Sequence, residues 1–272
     1  MEVRFRAFWL FIMKKNFLGS VWQWGELLQK LVVRNLKVKY QRSILGFLWT
    51  LIQPVIMILI IISVFTYVVR IQIEDYWAFL VSGFFVWNFI QQCINAGSYV
   101  IMEHANMIRS VALPKVLLIV SAVLSRLIEF LLELLIVLVI LLLVHHKGVP
   151  VGFLAVPVLI VLQVLLALGL ALLISIPAVF YHDIQHALPL VLMALFYMSP
   201  VFYPITMVPY SFQSVYLFNP IAQILDLYHI ALYQGDFPSA LALSRTILTS
   251  ILTVMAGYFI FNRYQSVIAE IV

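Results

Sequence analysis

Three ionisable residues lie within one long apolar segment, where charged side chains are rare. Arg126, Glu129 and Glu133 are spaced three and four residues apart, so they share one face of a helix and can pair with one another. Ionisable groups inside a membrane are costly and normally face protein or water. Two interpretations stay open: a polar stripe along a conduit or a subunit contact, and a structural ion pair.

A second polar set interrupts another apolar segment, from Trp77 to Ser98. Its amides and hydroxyl belong to Ser82, Asn88, Gln91, Gln92 and Asn95, and its aromatic residues are Trp77, Phe84, Phe85, Trp87 and Phe89. Aromatic faces can stack on sugar rings and amides can hydrogen-bond to hydroxyl groups, but aromatics near a membrane interface also serve as anchors. The candidate channel-lining residues that we select from this set are Phe84, Trp87, Asn88, Gln91 and Asn95.

The sequence carries no motif of enzymatic catalysis. It has no GxxxxGK[ST] phosphate loop, HExxH or GxSxG, and its single cysteine, Cys93, cannot form an internal disulfide. His182 and His186, with Asp183 between them, are expected at a turn, where polar residues need no metal to explain them. We therefore predict that this chain has no catalytic, cofactor-binding or metal-binding residues and is not an ATPase by itself.

An apolar run next to a basic stretch defines the class of protein. Residues Ser43 to Val69 carry no charge, whereas Lys30 to Arg42 contain five cations. Crossing a bilayer core takes roughly 20 apolar residues. The chain is 65% hydrophobic and 10% charged, far from the roughly 25% charged residues of a soluble domain. An all-α integral membrane protein is predicted. Its cations cluster beside a span, which argues against a nucleic-acid partner.

Six transmembrane helices are predicted, with bounds near 47–69, 77–98, 115–144, 152–180, 184–204 and 245–263. With the N-terminus in the cytoplasm, twelve Lys and Arg residues fall on the cytoplasmic side and three outside, a strong positive-inside bias. Both termini are therefore expected in the cytoplasm. The predicted organisation is an N-terminal cytoplasmic segment (1–46), a transmembrane domain (47–264) and a short cytoplasmic tail (265–272).

Two segments flanking the spans have patterns of their own. Before the first span, apolar residues recur at helical spacing and predict an amphipathic helix in the cytoplasmic headgroup layer. These apolar residues are Trp24, Leu27, Leu28, Leu31 and Val38. An added contact of this helix with a cytoplasmic partner stays open.

Between the fifth and sixth spans, residues 205–240 are too broken by proline to cross the membrane and too apolar for an ordinary loop. They predict helices on the outer side that are re-entrant or lie on the membrane surface.

Five segments resemble, in order, the membrane subunit of ABC-2-type exporters that move O-antigen, teichoic acid or similar polysaccharides. They are VKYQRSILGFLWTLIQPV (38–55), FLVSGFFVWNFIQQCINAGSYVI (79–101), HANMIRSVALPK (104–115), YHDIQHALPLVLMALFYMSPVFYP (181–204) and FNPIAQILDLYHIALYQG (218–235). Each segment is loose by itself, but together they span most of the chain, from residue 38 to residue 235, and are quite specific.

The resemblance implies a homodimer bound to two copies of a separate nucleotide-binding ATPase, which would hold the ATP and Mg. It also implies a lipid-linked polysaccharide as the substrate, moved through a channel at the dimer interface of the bacterial inner membrane, among membrane lipids. Two cytoplasmic turns would meet the ATPase, and their residues are Ala105, Asn106, Ile108, Arg109, Pro114, His182 and Asp183.

Other functions stay open at this point. A drug or lipid exporter could use the same ABC-2 scaffold, because the polarity of one span does not set the cargo. An ion-coupled secondary transporter would need an essential membrane carboxylate, which Glu129 or Glu133 could supply. An intramembrane enzyme is disfavoured because no nucleophile or metal pattern is present.

Overall fold

The computed structural model describes residues 17–41, 46–110, 113–145 and 148–271. Helices joined by short turns make up these ranges, and the predicted all-α integral membrane fold is confirmed. Parts of the predicted terminal segments (1–16, 42–45 and residue 272) lie outside the described residues. The α-helices are α1 (Phe17–Tyr40), α2 (Trp49–Ser63), α3 (Tyr76–Glu103), α4 (Ala105–Ser110), α5 (Val116–Ile140), α6 (Val156–Phe180), α7 (Asp183–Tyr197), α8 (Tyr210–Phe218), α9 (Pro220–Tyr228) and α10 (Ala240–Ile271).

Five helical segments in the described part of the chain are long and apolar enough to cross a bilayer. Three of them join an α-helix to a 3-10 or π-helical extension. The segments are Trp49–Val69, Tyr76–Glu103, Val116–His145, Val151–Phe180 and Ala240–Ile268. They coincide with the first four predicted spans and with the sixth, which begins five residues earlier than predicted.

The predicted fifth span is the exception, because its helix is short. Helix α7 has 15 residues and is about 22 Å long at the standard rise per residue, against a hydrocarbon core of roughly 30 Å. The chain then turns at Ser199 and Pro200, where proline disfavours further helix at the residue before it. A count of six spans stays a prediction.

The segment after α7 folds into two short helices, α8 and α9, with Asn219 between them. The side chain of Asn219 accepts a hydrogen bond from the backbone N–H of Ile221 at 3.0 Å, and Pro220 occupies the first turn of α9. Both are typical of a helix start. Helix α9 is buried, with Ile224 and Tyr228 fully enclosed. Re-entry of this segment into the membrane stays a prediction.

Helix α1 packs against α5, with Leu31 and Val32 buried and Val38 exposed. Its amphipathic helical character agrees with the predicted pattern, while its position in the headgroup layer stays a prediction.

At the centre of the bundle, α3 packs against α5 and α6, and α6 packs against α10. The last pair is very close, because a Cβ on Gly169 would stand 2.6 Å from the backbone of Thr253. Small residues permit this approach between membrane helices.

Candidate functional site

A cavity of about 820 Å³, here called the large cavity, lies between α2, α3 and α7. All five candidate channel-lining residues of α3 line it. Four of them, Phe84, Asn88, Gln91 and Asn95, are spaced four, three and four residues apart. Such a spacing places side chains on one helical face. The helical periodicity of α3 alone therefore aligns these residues along one wall.

The surface of this wall is made by amides rather than by aromatic rings. Phe84 and Trp87 are only 7% and 3% exposed, and both contact the ring of Phe196 on α7, with the Trp87 centroid 5.6 Å away. Asn88 and Gln91 are half-buried and reach the cavity. The aromatic rings thus serve mainly to pack α3 against α7, and the amides remain able to hydrogen-bond to a ligand.

A second cavity of about 620 Å³, the small cavity, lies between α1, α3 and α5. Gln92, Asn95 and the cations Lys39 and Arg126 line both cavities. These four residues form the wall that the two cavities share, which we call the junction.

A buried carboxylate next to the junction holds α1 to α5. Glu129 is 2% exposed, and its oxygens accept hydrogen bonds from Lys39 at 2.8 and 2.9 Å and from Arg126 at 3.1 Å. The hydroxyl of Tyr40 also donates to it. We call these four residues the charged cluster. The predicted pairing of Arg126 with Glu129 is present. Lys39 and Tyr40 belong to the basic stretch before the first span, and nothing in that local pattern marks them as partners of Glu129.

Burial and the contact with Glu129 shift the pKa values of Lys39 and Tyr40, the two members of the charged cluster that belong to α1. Burial lowers the pKa of Lys39, as does the nearby guanidinium of Arg126, while the hydrogen bond to Glu129 opposes both. Burial and the hydrogen bond to Glu129 raise the pKa of Tyr40. The Tyr40 hydroxyl therefore keeps its proton and acts as a donor to the carboxylate.

Glu133, the third member of the predicted stripe, takes part in none of the ion pairs found among the described residues. It is 2% exposed, and its Oε1 atom has no hydrogen-bond partner among the described residues. Its role stays a prediction.

The two turns predicted to meet an ATPase lie near each other at one end of the bundle. One contains α4, with Asn106 and Arg109 exposed, and the other contains the exposed residues His182 and Asp183. The side chain of Gln185 donates to the backbone carbonyl of Ser98, close to the end of α3, at 3.3 Å. Of the remaining predicted residues, Ala105 and Ile108 are half-buried and Pro114 is exposed.

A buried histidine that the sequence analysis did not single out ties the segment after α9 to α3. The Nε2 atom of His229 is 2.9 Å from the carbonyl of Pro200, and its Nδ1 atom is 2.8 Å from the hydroxyl of Ser82. Its ring stacks on Phe79 with centroids 4.0 Å apart. Burial lowers the pKa of His229 to about 4, so the ring is neutral at physiological pH.

Apolar helices long enough to cross a bilayer, enclosing polar cavities, define a multi-pass α-helical membrane protein. The family model "ABC-2 type transporter" matches residues 26–233. The chain belongs to this family, and the resemblance seen in the sequence is confirmed.

Three relatives extend the match over nearly the whole chain. The "O-antigen export system permease protein RfbA" of Klebsiella pneumoniae is 25% identical over 91% of this chain and 96% of its own length. The protein of the same name from Myxococcus xanthus is 28% identical over 92% and 97%. The "Polysialic acid transport protein KpsM" of Escherichia coli is 22% identical over 86% and 92%.

Proposed function

We propose that this chain is the transmembrane subunit of an ATP-driven exporter that moves a lipid-linked polysaccharide, similar to O-antigen, across the bacterial inner membrane. The observation that carries the proposal is the similarity to O-antigen export permeases over 91% of this chain and 96% of the relative. The family model extends over residues 26–233, a range that contains the lining of both cavities and the two turns predicted to meet the ATPase.

The chemistry of the large cavity supports a glycan as the cargo. Amides such as Asn88 and Gln91 can both donate to and accept from sugar hydroxyls. The fixed charges that line it are Lys39 and Arg126, at its junction with the small cavity. A wall of weak and repeated hydrogen-bonding sites lets a long hydrated chain advance, whereas one tight site would hold it in place.

A separate protein supplies the energy in this proposal. The sequence has no phosphate loop, so a nucleotide-binding subunit would hold ATP and Mg, and this chain would not be an enzyme. Two copies of each subunit would form the transporter, with the channel at the interface between the two membrane subunits. Movement of the ATPases would reach the channel through α4 and through the turn at His182 and Asp183, which both lie at one end of the bundle.

Co-expression with a candidate ABC-type ATPase subunit from the same organism tests the proposal. We expect the two proteins to co-purify in equal numbers, and the ATPase rate to rise when a lipid-linked glycan is added. The matched control is the same lipid carrier without its glycan. Failure to co-purify with the ATPase, or equal stimulation by a lipophilic drug and by the glycan, would contradict the proposal.

A further inference from the structure

The junction between the two cavities combines groups from three helices. Lys39 comes from α1, Gln92 and Asn95 from α3, and Arg126 from α5. The side chains of Lys39 and Arg126 are 32% and 26% exposed. Both side chains therefore line the two cavities and stay partly accessible while they contact Glu129.

Donors exceed acceptors at this place. An ammonium carries three N–H donors and a guanidinium five, whereas one carboxylate accepts about four hydrogen bonds, and Tyr40 already donates one of these to Glu129. The amides of Gln92 and Asn95 add donors and acceptors in equal number, so the excess of donors remains. The junction is thus suited to a group with several anionic oxygens, since charge-assisted hydrogen bonds from cations to phosphate are among the strong ones.

The small cavity also contains an unused acceptor. His104 is 5% exposed, and its Nδ1 atom lies 2.9 Å from the carbonyl of Val100. A carbonyl can only accept, so Nδ1 carries a proton, and in the tautomer with its proton on Nδ1 the Nε2 atom is an acceptor. This Nε2 atom is buried and has no hydrogen-bond partner among the described residues. A ligand hydroxyl would satisfy it, and the same cavity is lined by the carboxylate of Glu103 and by Arg34.

We propose that the junction and the small cavity together bind the phosphate-bearing end of a glycan, with Lys39 and Arg126 holding the phosphate and His104 accepting a hydrogen bond from an adjacent sugar hydroxyl. This inference rests on the proposed function and assigns a place to one end of the cargo. The bound phosphate competes with Glu129 for the two cations. Binding therefore loosens the contact between α1 and α5, and the charge of the cargo is linked to the position of the interfacial helix.

Calorimetric titration of the intact transporter in phosphatidylcholine nanodiscs with glucose 1-phosphate tests the proposal, with glucose as the uncharged reference. Lys39→Gln leaves Arg126 paired with Glu129 and should weaken glucose 1-phosphate binding at least tenfold, the loss expected for charge-assisted hydrogen bonds. Lys37→Gln removes the same charge from an exposed site on the same helix that lines neither cavity, and should bind like the wild type. Glu129→Gln removes the competing carboxylate and should tighten binding severalfold, a gain that general damage to the fold does not produce.

Equal affinity of the wild type and Lys39→Gln, or equal binding of glucose and glucose 1-phosphate, would overturn the proposal. A phospholipid headgroup is the other source of phosphate. If phosphatidylglycerol in the nanodisc lowers the wild-type affinity for glucose 1-phosphate, and Lys39→Gln abolishes this effect, the site belongs to lipid and the assignment to the cargo is wrong. If lipid-linked glycan stimulates the ATPase but glucose 1-phosphate does not bind, this inference is wrong and the proposed function stands. If glucose 1-phosphate binds but lipid-linked glycan does not stimulate the ATPase, the proposed function is wrong instead.

Discussion

The ammonium group of Lys39 lies 2.8 Å from a carboxylate oxygen of Glu129, although the two residues are 90 positions apart in the sequence. One belongs to the helix that precedes the first span, and the other to the third span. Because Glu129 is almost fully buried, the contact fixes the C-terminal end of α1 at the side of the bundle, next to the large cavity. Several measurable consequences follow from this and from the neighbouring contacts.

Loss of the Glu129 carboxylate should destabilise the protein. Glu129→Ala leaves Lys39 and Arg126 without their shared partner, and breaking a buried pair costs about 3–5 kcal/mol. Since both cations are partly exposed, we expect about 2 kcal/mol, seen as a lower midpoint of thermal unfolding in detergent. Glu133→Gln is the control, because the Oε1 atom of Glu133 has no partner among the described residues. An equal loss in both variants would contradict this account.

The close contact of α6 with α10 should not tolerate even one added methyl group. In Gly169→Ala the new Cβ would meet the backbone of Thr253 at 2.6–2.8 Å, and overpacking of this kind costs about 1–3 kcal/mol. Chemical unfolding in detergent would measure the loss. Gly25→Ala on α1 has no heavy atom within 4 Å and should be neutral or stabilising, since alanine favours helix. Unchanged stability of Gly169→Ala would show that the two helices can move apart freely.

Stability should depend on pH through His229. Its pKa is about 4 in the folded protein and about 6.5 in an unfolded chain, so the unfolded state binds more protons between these values. Stability should therefore fall as the pH drops from 7 to 5, by about 2 kcal/mol from this residue. Thermal unfolding over this range would show a smaller pH dependence in His229→Gln than in the wild type. Parallel curves for the two proteins would refute a neutral buried His229.

Export should depend on the amide wall of the large cavity. Asn95→Leu removes a hydrogen-bonding group from the cavity surface, and we expect glycan export, measured per assembled complex, to fall severalfold. Gln163→Leu makes the same kind of change in α6, at a buried amide without a hydrogen-bond partner among the described residues. That variant should export normally. A similar decrease in both variants would point to a general effect of losing an amide and not to the cavity.

Assembly with the ATPase should depend on the exposed face of α4. Arg109→Glu reverses a charge on this helix, and we expect the amount of ATPase that co-purifies to decrease at least twofold. Arg70→Glu reverses an equally exposed charge at the end of the first span, on the predicted outer side, and should leave co-purification unchanged. A decrease for Arg70→Glu alone would reverse the predicted orientation.

The sequence by itself determined the class of protein and most of its framework. In a bilayer, the backbone N–H and C=O groups of a long apolar run find no water to bond to. A helix satisfies them, because its backbone hydrogen bonds all form within the segment. The regular spacing of Phe84, Asn88, Gln91 and Asn95 likewise placed these residues on one wall, since a helix has a fixed period. Local periodicity and hydrophobicity are enough for statements of this kind.

Only the tertiary structure decided which distant groups meet. The pairing of Lys39 with Glu129, the burial of Trp87 against Phe196 and the enclosure of His229 all depend on how separate helices pack. The 15-residue length of α7 depends on where the chain turns at Pro200. In a membrane, helices pack through close fit and a few polar contacts. Hydrophobicity does not select their partners, because lipid tails are as apolar as the helix surfaces. A pattern of apolar residues therefore predicts the helices without predicting their partners.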